Sequence, residues 1–320
     1  MNTTWRQCTI GDVCDTISNT YNSNAQQVVL INTSDVLEGK VLNHIYIPNE
    51  NLKGQFKKTF EEGDILYSEI RPQNKRYAYI DFAPINYIAS TKLMVIRNKN
   101  IVKSKYLYYF LQSDKIISEL QMLAETRSGT FPQITFNELS KLSIKIPPLP
   151  EQDRIISILD SICKKIDINQ QINDNLEEQA KALFNHYFIQ NTENLGEWQD
   201  GVLTDIAQYL NGLAMQKYPA MPNEAGLPVL KIKELGQGQC DTNSDRCSSL
   251  IKPEYIISDG TIIFSWSGTL LVDIWCGGKC GLNQHLFKVS SAKYPQWFVF
   301  YWTKPVSYTH LRAHETCADL

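Results

Sequence analysis

The chain lacks several features that define common protein classes. It has no run of about 18 consecutive apolar residues, so no membrane-spanning helix is expected. Its first residues, Met1-Asn2-Thr3-Thr4-Trp5-Arg6, do not form a basic stretch followed by an apolar one, so no export leader is expected. With eight scattered cysteines in 320 residues, reduced thiols and a cytoplasmic setting are the expectation. There is no Gly-x-x-x-x-Gly-Lys-Ser/Thr loop for nucleotide phosphates and no Gly-x-Ser-x-Gly nucleophile elbow. No Asn-Pro-Pro-Tyr type motif is present, since Pro147-Pro148 lacks both the asparagine and the aromatic ring. His44, His186 and His285 are scattered and read as structural or surface residues. Cys276-x-x-x-Cys280 and the more widely spaced Cys240 and Cys247 are too loose for a zinc site and lack a counterpart earlier in the chain, so they read as free thiols. A non-catalytic protein without cofactor or metal is therefore expected.

What is present points to binding. Hydrophobic residues make up 43% and charged residues 20%, as in folded soluble domains, and the length suggests two of them. The net charge of −3 argues against gripping nucleic acid by bulk charge alone, but the charge is uneven. Residues 40–110 carry twelve Lys or Arg against six acids, whereas residues 151–200 carry four against ten. One segment suits an anion and the other does not.

Short runs such as Val28–Ile31, Asp64–Tyr67 and Lys92–Ile96 read as strands, and Tyr106–Leu120 reads as one helix, giving a mixed α/β domain. The prolines of Ile146-Pro147-Pro148-Leu149-Pro150-Glu151-Gln152 end it. Pro150 and the acids after it suit a helix start. Residues 151–190 then keep apolar side chains at steps of three and four, which predicts a helix that reaches about 60 Å if unbroken, with the Asn- and Gln-rich stretch Asp167–Asn175 left open as a place for a break.

Beyond that helix the pattern repeats. Trp5 and Ile10-Gly11-Asp12-Val13 match Trp198 and Leu203-Thr204-Asp205-Ile206; Gly63-Asp64-Ile65-Leu66-Tyr67-Ser68 matches Gly260-Thr261-Ile262-Ile263-Phe264-Ser265. Val29-Leu30, Thr91–Met94 and Tyr106–Phe110 match Val229-Leu230, Gln284–Phe287 and Trp297–Tyr301. The expected fold class is α+β: a first domain over 1–148, a helical spacer over 149–192, and an incomplete second copy over 193–306. Residues 307–320 break the pattern and read as not native.

The binding candidates come from side-chain chemistry. Arg71, Gln73, Asn74, Lys75, Arg76 and Tyr77 join basic groups, amides and a ring. Arginine or lysine suits phosphates and guanine edges, and glutamine or asparagine suits adenine. Lys53, Lys57 and Lys58 would add sequence-independent phosphate contacts, with Lys217, Lys231 and Lys233 as candidates in the second copy.

Two α/β copies, the Leu-Pro-Glu-Gln turn with its long helix, and Ser128-Gly129-Thr130-Phe131-Pro132-Gln133-Ile134 together resemble the specificity subunit of type I restriction–modification systems, over about residues 5–306. The resemblance implies a sequence-specific subunit for double-stranded DNA whose target-recognition domains each read half of a bipartite site. It implies that the helix spaces the domains as a coiled-coil ruler and docks methyltransferase subunits, with a motor-nuclease (restriction) subunit joining for cleavage. Ile155, Leu159, Ile162, Ile166, Leu176 and Leu183 are then the interface candidates. The family's second helix has no match here. That implies a C-terminally truncated member, which would self-associate through its one helix. Two alternatives stay open: the recognition portion of a fused restriction–modification enzyme, and a helical scaffold without DNA affinity.

Overall fold

A computed structural model describes residues 5–50, 52, 54–126, 132–190, 201–221, 223 and 225–304. Lys53, Ser128–Phe131, Trp198, the end of the spacer and the anomalous tail lie outside the described residues. The chain divides into two compact units, Met1–Gln171 and Ile172–Leu320.

In the first unit eight strands build two four-stranded sheets. They are β1 (Cys14–Ile17), β2 (Gln27–Ile31), β3 (Ile47–Pro48), β4 (Phe56–Lys58), β5 (Ile65–Ser68), β6 (Tyr77–Tyr79), β7 (Tyr87–Ser90) and β8 (Leu93–Asn98). The sheet orders are β3-β2-β7-β4 and β1-β8-β5-β6, with β2 and β7 parallel. Strand β5 is buried along its whole length, and its alternation sends Ile65 and Tyr67 into one apolar cluster and Leu66 into another. Arg6–Thr9 pairs with Ser143–Ile146, so the start of the chain closes against the strand that leads into the proline run.

The second unit repeats this plan with β9 (Gln208–Asn211), β10 (Leu227–Leu230), β11 (Arg246–Cys247), β12 (Ile256–Ile257), β13 (Ile262–Ser265), β14 (Leu271–Ile274), β15 (Cys280–Leu282) and β16 (Leu286–Ser290). Its sheet orders, β11-β10-β15-β12 and β9-β16-β13-β14, are those of the first unit shifted by eight strands. Gly63 and Gly260 stand at the same point before the central strand, with φ of +89° and +85°. The N–H of each donates across the sheet, to Ile80 and Trp275 respectively, and a side chain there would be strained.

The expected helix Tyr106–Leu120 is two helices, Ser104–Leu111 and Asp114–Glu125. Ser113 between them is extended, with ψ of 140°. The signal was in the sequence: Leu111 and Ile116 are five apart, a step that leaves one helical stripe.

No break falls at Asp167–Asn175. Leu149–Asn185 is one helix of 37 residues, followed by a wider turn over His186–Gln190. Asparagine and glutamine cost only tenths of a kcal/mol on a solvated helix, and no glycine or proline follows Pro150 to stop it. Its first turns are fixed by Gln152, which is 1% exposed. The amide of Gln152 accepts the Lys103 N–H at 2.8 Å and donates to the Pro147 carbonyl at 2.9 Å. Ile155 and Ile156 pack on the first core, while Asp160 accepts from Lys105 and from the Tyr109 hydroxyl at 2.8 and 2.6 Å. At the far end Phe184 is buried between Phe188 and Tyr301. Among the described residues no helix is long and apolar enough to cross a membrane.

Candidate nucleic-acid interface

The loop joining β5 to β6 runs Glu69-Ile70-Arg71-Pro72-Gln73-Asn74-Lys75-Arg76. A single 3-10 turn, Pro72–Asn74, sits between two non-glycine residues in left-handed conformation, Arg71 (φ 44°) and Lys75 (φ 52°). Such conformations cost about 1 kcal/mol or more each and persist only where neighbours hold them. Here the neighbours do. The Arg71 N–H donates to the Pro132 carbonyl at 3.0 Å, and the Ile134 N–H donates to Glu69 at 2.8 Å. The Gln73 N–H donates to the side chain of Gln121 at 3.2 Å, while Pro72 is buried. Gln121, 7% exposed, is itself fixed by donating to Glu125 at 2.8 Å. The loop is thus a rigid turn on a sheet rim, with Arg71, Gln73 and Asn74 exposed and Lys75 half-exposed. Lys75 lies 3.5 Å from Glu38, a surface pair of little energetic weight.

Three sequence candidates are placed otherwise. Arg76 turns inward, its guanidinium donating to the Ser34 and Val36 carbonyls at 3.0 and 3.3 Å. Tyr77 begins β6 and is buried, with its ring stacked on Tyr67 at 5.8 Å; burial pushes its phenol up to about 12. The expectation that it faces a ligand is corrected, because the alternation of β6 turns its ring into the core. Lys58 donates to the Thr91 and Leu93 carbonyls at 3.0 and 2.8 Å, and burial lowers its ammonium below the usual lysine range. Lys57, its neighbour on β4, is exposed.

Lys92 was missed by sequence reasoning. It sits in the short connector between β7 and β8, 3.8 Å from Glu69 and 3.4 Å from the Gln133 side chain, so it borders the same loop. Nothing in its local sequence sets it apart; strand pairing brings it there.

In the second unit Lys217 is exposed on a 3-10 turn, Met215–Lys217. Lys231 is paired with Asp245, and its ammonium holds that carboxyl below the usual range. Lys233 lies 3.5 Å from Asp241. On the long helix Ile155 and Leu159 are half-buried, whereas Ile162, Ile166, Leu176 and Leu183 are each 51–62% exposed. These six fall at steps of four, three or seven, apart from the ten between Ile166 and Leu176, which Asn169 and Asn173 divide by the same spacing. This is a heptad seam with a polar centre.

The sequence profile of the Type I restriction modification DNA specificity domain matches residues 2–178. The specificity subunit of the type I restriction enzyme HindI of Haemophilus influenzae is 47% identical over 188 residues, covering 58% of this chain and 41% of that protein. The MjaIX specificity subunit of Methanocaldococcus jannaschii is 29% identical over 216 residues, covering 59% and 49% respectively. The chain therefore spans about half the length of the curated relatives it matches. Among solved structures, the HsdS subunit from Thermoanaerobacter tengcongensis aligns over 95% of this chain and 79% of its own, at 19% identity and a TM-score of 0.46. The profile match covers more than half of the chain, which belongs to the type I restriction–modification DNA specificity family.

Proposed function

We propose that this chain is a non-catalytic specificity subunit that reads double-stranded DNA for a type I restriction–modification complex. The observation that carries the reading is the Arg71–Lys75 loop. It is a turn whose backbone cost is already met by Pro132 and Gln121, and it offers a guanidinium, two amides and an ammonium on one rim. Rigid placement of such groups gives sequence discrimination, since ordering them costs little on contact. Each unit would read one half of a bipartite site, over the domain limits expected from the sequence. The test is to tag the full chain, recover it from its native cell with whatever accompanies it, and select bound duplexes from a random pool. Enrichment of a two-part motif is expected; a retained pool as random as the input sinks the reading.

The helix seam supplies the partner reading. Its exposed leucines and isoleucines lie in an acidic segment, a surface better suited to protein than to phosphate. We assign it to methyltransferase subunits and, in their absence, to a second copy of the chain. A motor-nuclease subunit would join that assembly. Ile162→Asp with Leu176→Asp is expected to reduce co-recovery of an S-adenosylmethionine-dependent methyltransferase by roughly tenfold or more, since each change buries a charge in an apolar contact. Unchanged recovery by the doubly substituted chain would show that docking lies elsewhere.

A further inference from the structure

The loop after β5 and the connector between β7 and β8 form one corner in the first unit, where Glu69 meets Lys92. The strand register puts the same corner in the second unit. β5 pairs with β8 through Ile65 and Ile96, and β13 pairs with β16 through Ile262 and Val289. Trp266 follows Ser265 as Glu69 follows Ser68, and His285 precedes Leu286 as Lys92 precedes Leu93. There the ion pair is replaced by two rings, the indole of Trp266 and the imidazole of His285, with centroids 6.0 Å apart.

This second corner is also rigid. The Ser265 hydroxyl donates to the Thr269 carbonyl at 2.7 Å and closes the loop. Asn283, 3% exposed, accepts the His285 N–H on its side chain at 3.2 Å and the Leu286 N–H on its carbonyl at 3.0 Å. Trp266 nevertheless remains 45% exposed. The loop Trp266-Ser267-Gly268-Thr269-Leu270 carries no cation, unlike its counterpart in the first unit. Beside the rings stands Gln284, whose amide lies 3.2 Å from the imidazole.

Resting on the DNA-reading function proposed above, we propose that Trp266, Gln284 and His285 are the base-reading corner of the second unit and that it takes an A·T pair of duplex DNA. A glutamine amide matches the donor and acceptor of adenine in the major groove, and a flat apolar ring meets the thymine methyl group. Without a cation, the corner adds sequence discrimination and little salt dependence. The first unit's loop has, beside its amides, an arginine and a lysine, which suit guanine edges and phosphates. The two halves of the site are therefore read by different chemistry on the same framework.

The experiment compares duplex selection by the full chain recovered from its cell with that by Trp266→Ala, His285→Gln and Arg71→Ala variants. Trp266→Ala and His285→Gln are expected to relax one half of the motif and Arg71→Ala the other. Single replacement of each thymine by deoxyuridine should then weaken the unaltered chain about fivefold at one position of the first-named half, and leave Trp266→Ala indifferent there. An unchanged motif with Trp266→Ala and with His285→Gln overturns the proposal. So does relaxation of the same half as Arg71→Ala, or no thymine position sensitive to loss of its methyl. If the unaltered chain selects no motif, the DNA-reading function itself fails, a result distinct from these.

Discussion

Replacing Arg71 and Lys75 together with glutamate is expected to weaken duplex binding by about a hundredfold or more near 0.1 M salt, because two charge-assisted contacts become repulsive. The slope of log affinity against log salt should become shallower by about two, the number of phosphate-facing cations removed. Fluorescence anisotropy of a labelled duplex across a salt series measures both quantities. Arg76→Ala is the contrast. Its guanidinium caps the Ser34 and Val36 carbonyls, so its loss should lower stability and leave the salt slope of the folded chain as it was. If the double reversal leaves affinity and slope unchanged, the loop does not face DNA. Lys75 itself gives up a surface pair with Glu38, which carries little stability.

The largest expected effect on stability lies in the Asp64–Arg97 pair. Asp64 is 2% exposed and accepts the Arg97 Nε and Nη2 at 2.8 and 2.7 Å, along with the Glu61 N–H at 2.8 Å. Arg97→Ala would leave that carboxylate buried with one donor, at a cost of about 3 kcal/mol. Asp64→Asn should cost less, about 1–2 kcal/mol, because the Arg97 side chain is 31% exposed and also reaches Glu61 at 3.2 Å. Hydrogen exchange of the β5 and β8 amides reads the first unit separately from the second. Equal loss in the two variants, or none, would contradict this asymmetry. The second copy manages the same point without an ion pair: Thr261 replaces the aspartate and donates its hydroxyl to the Ser258 carbonyl at 2.7 Å.

Much of the architecture was legible from local pattern. The strands around Val28–Ile31, Asp64–Tyr67 and Lys92–Ile96 appear within a residue or two, and of the matched segments three become strands of equal rank in both units while the other two become short helices in both. The site was legible less evenly. Arg71, Gln73, Asn74 and Lys75 share a rim, but Arg76 and Tyr77 point inward, and Lys58 and Lys231 engage partners in their own unit. A run of basic and aromatic residues in sequence does not say which side of the turn each occupies.

The duplication, the long helix and the family can all be read along the chain. These follow from order, period and motif, which are properties of neighbouring residues along the chain. Which candidate side chains reach solvent, and which distant ones join them, depends on how the strands pair. Lys92 borders the Arg71 loop, Gln121 holds it, and Trp266 meets His285 because strands far apart in sequence pair in a particular register. That register is selected by burying Ile65, Leu66 and Tyr67 on opposite faces of one strand. The selection rests on the whole core, and no local segment encodes it.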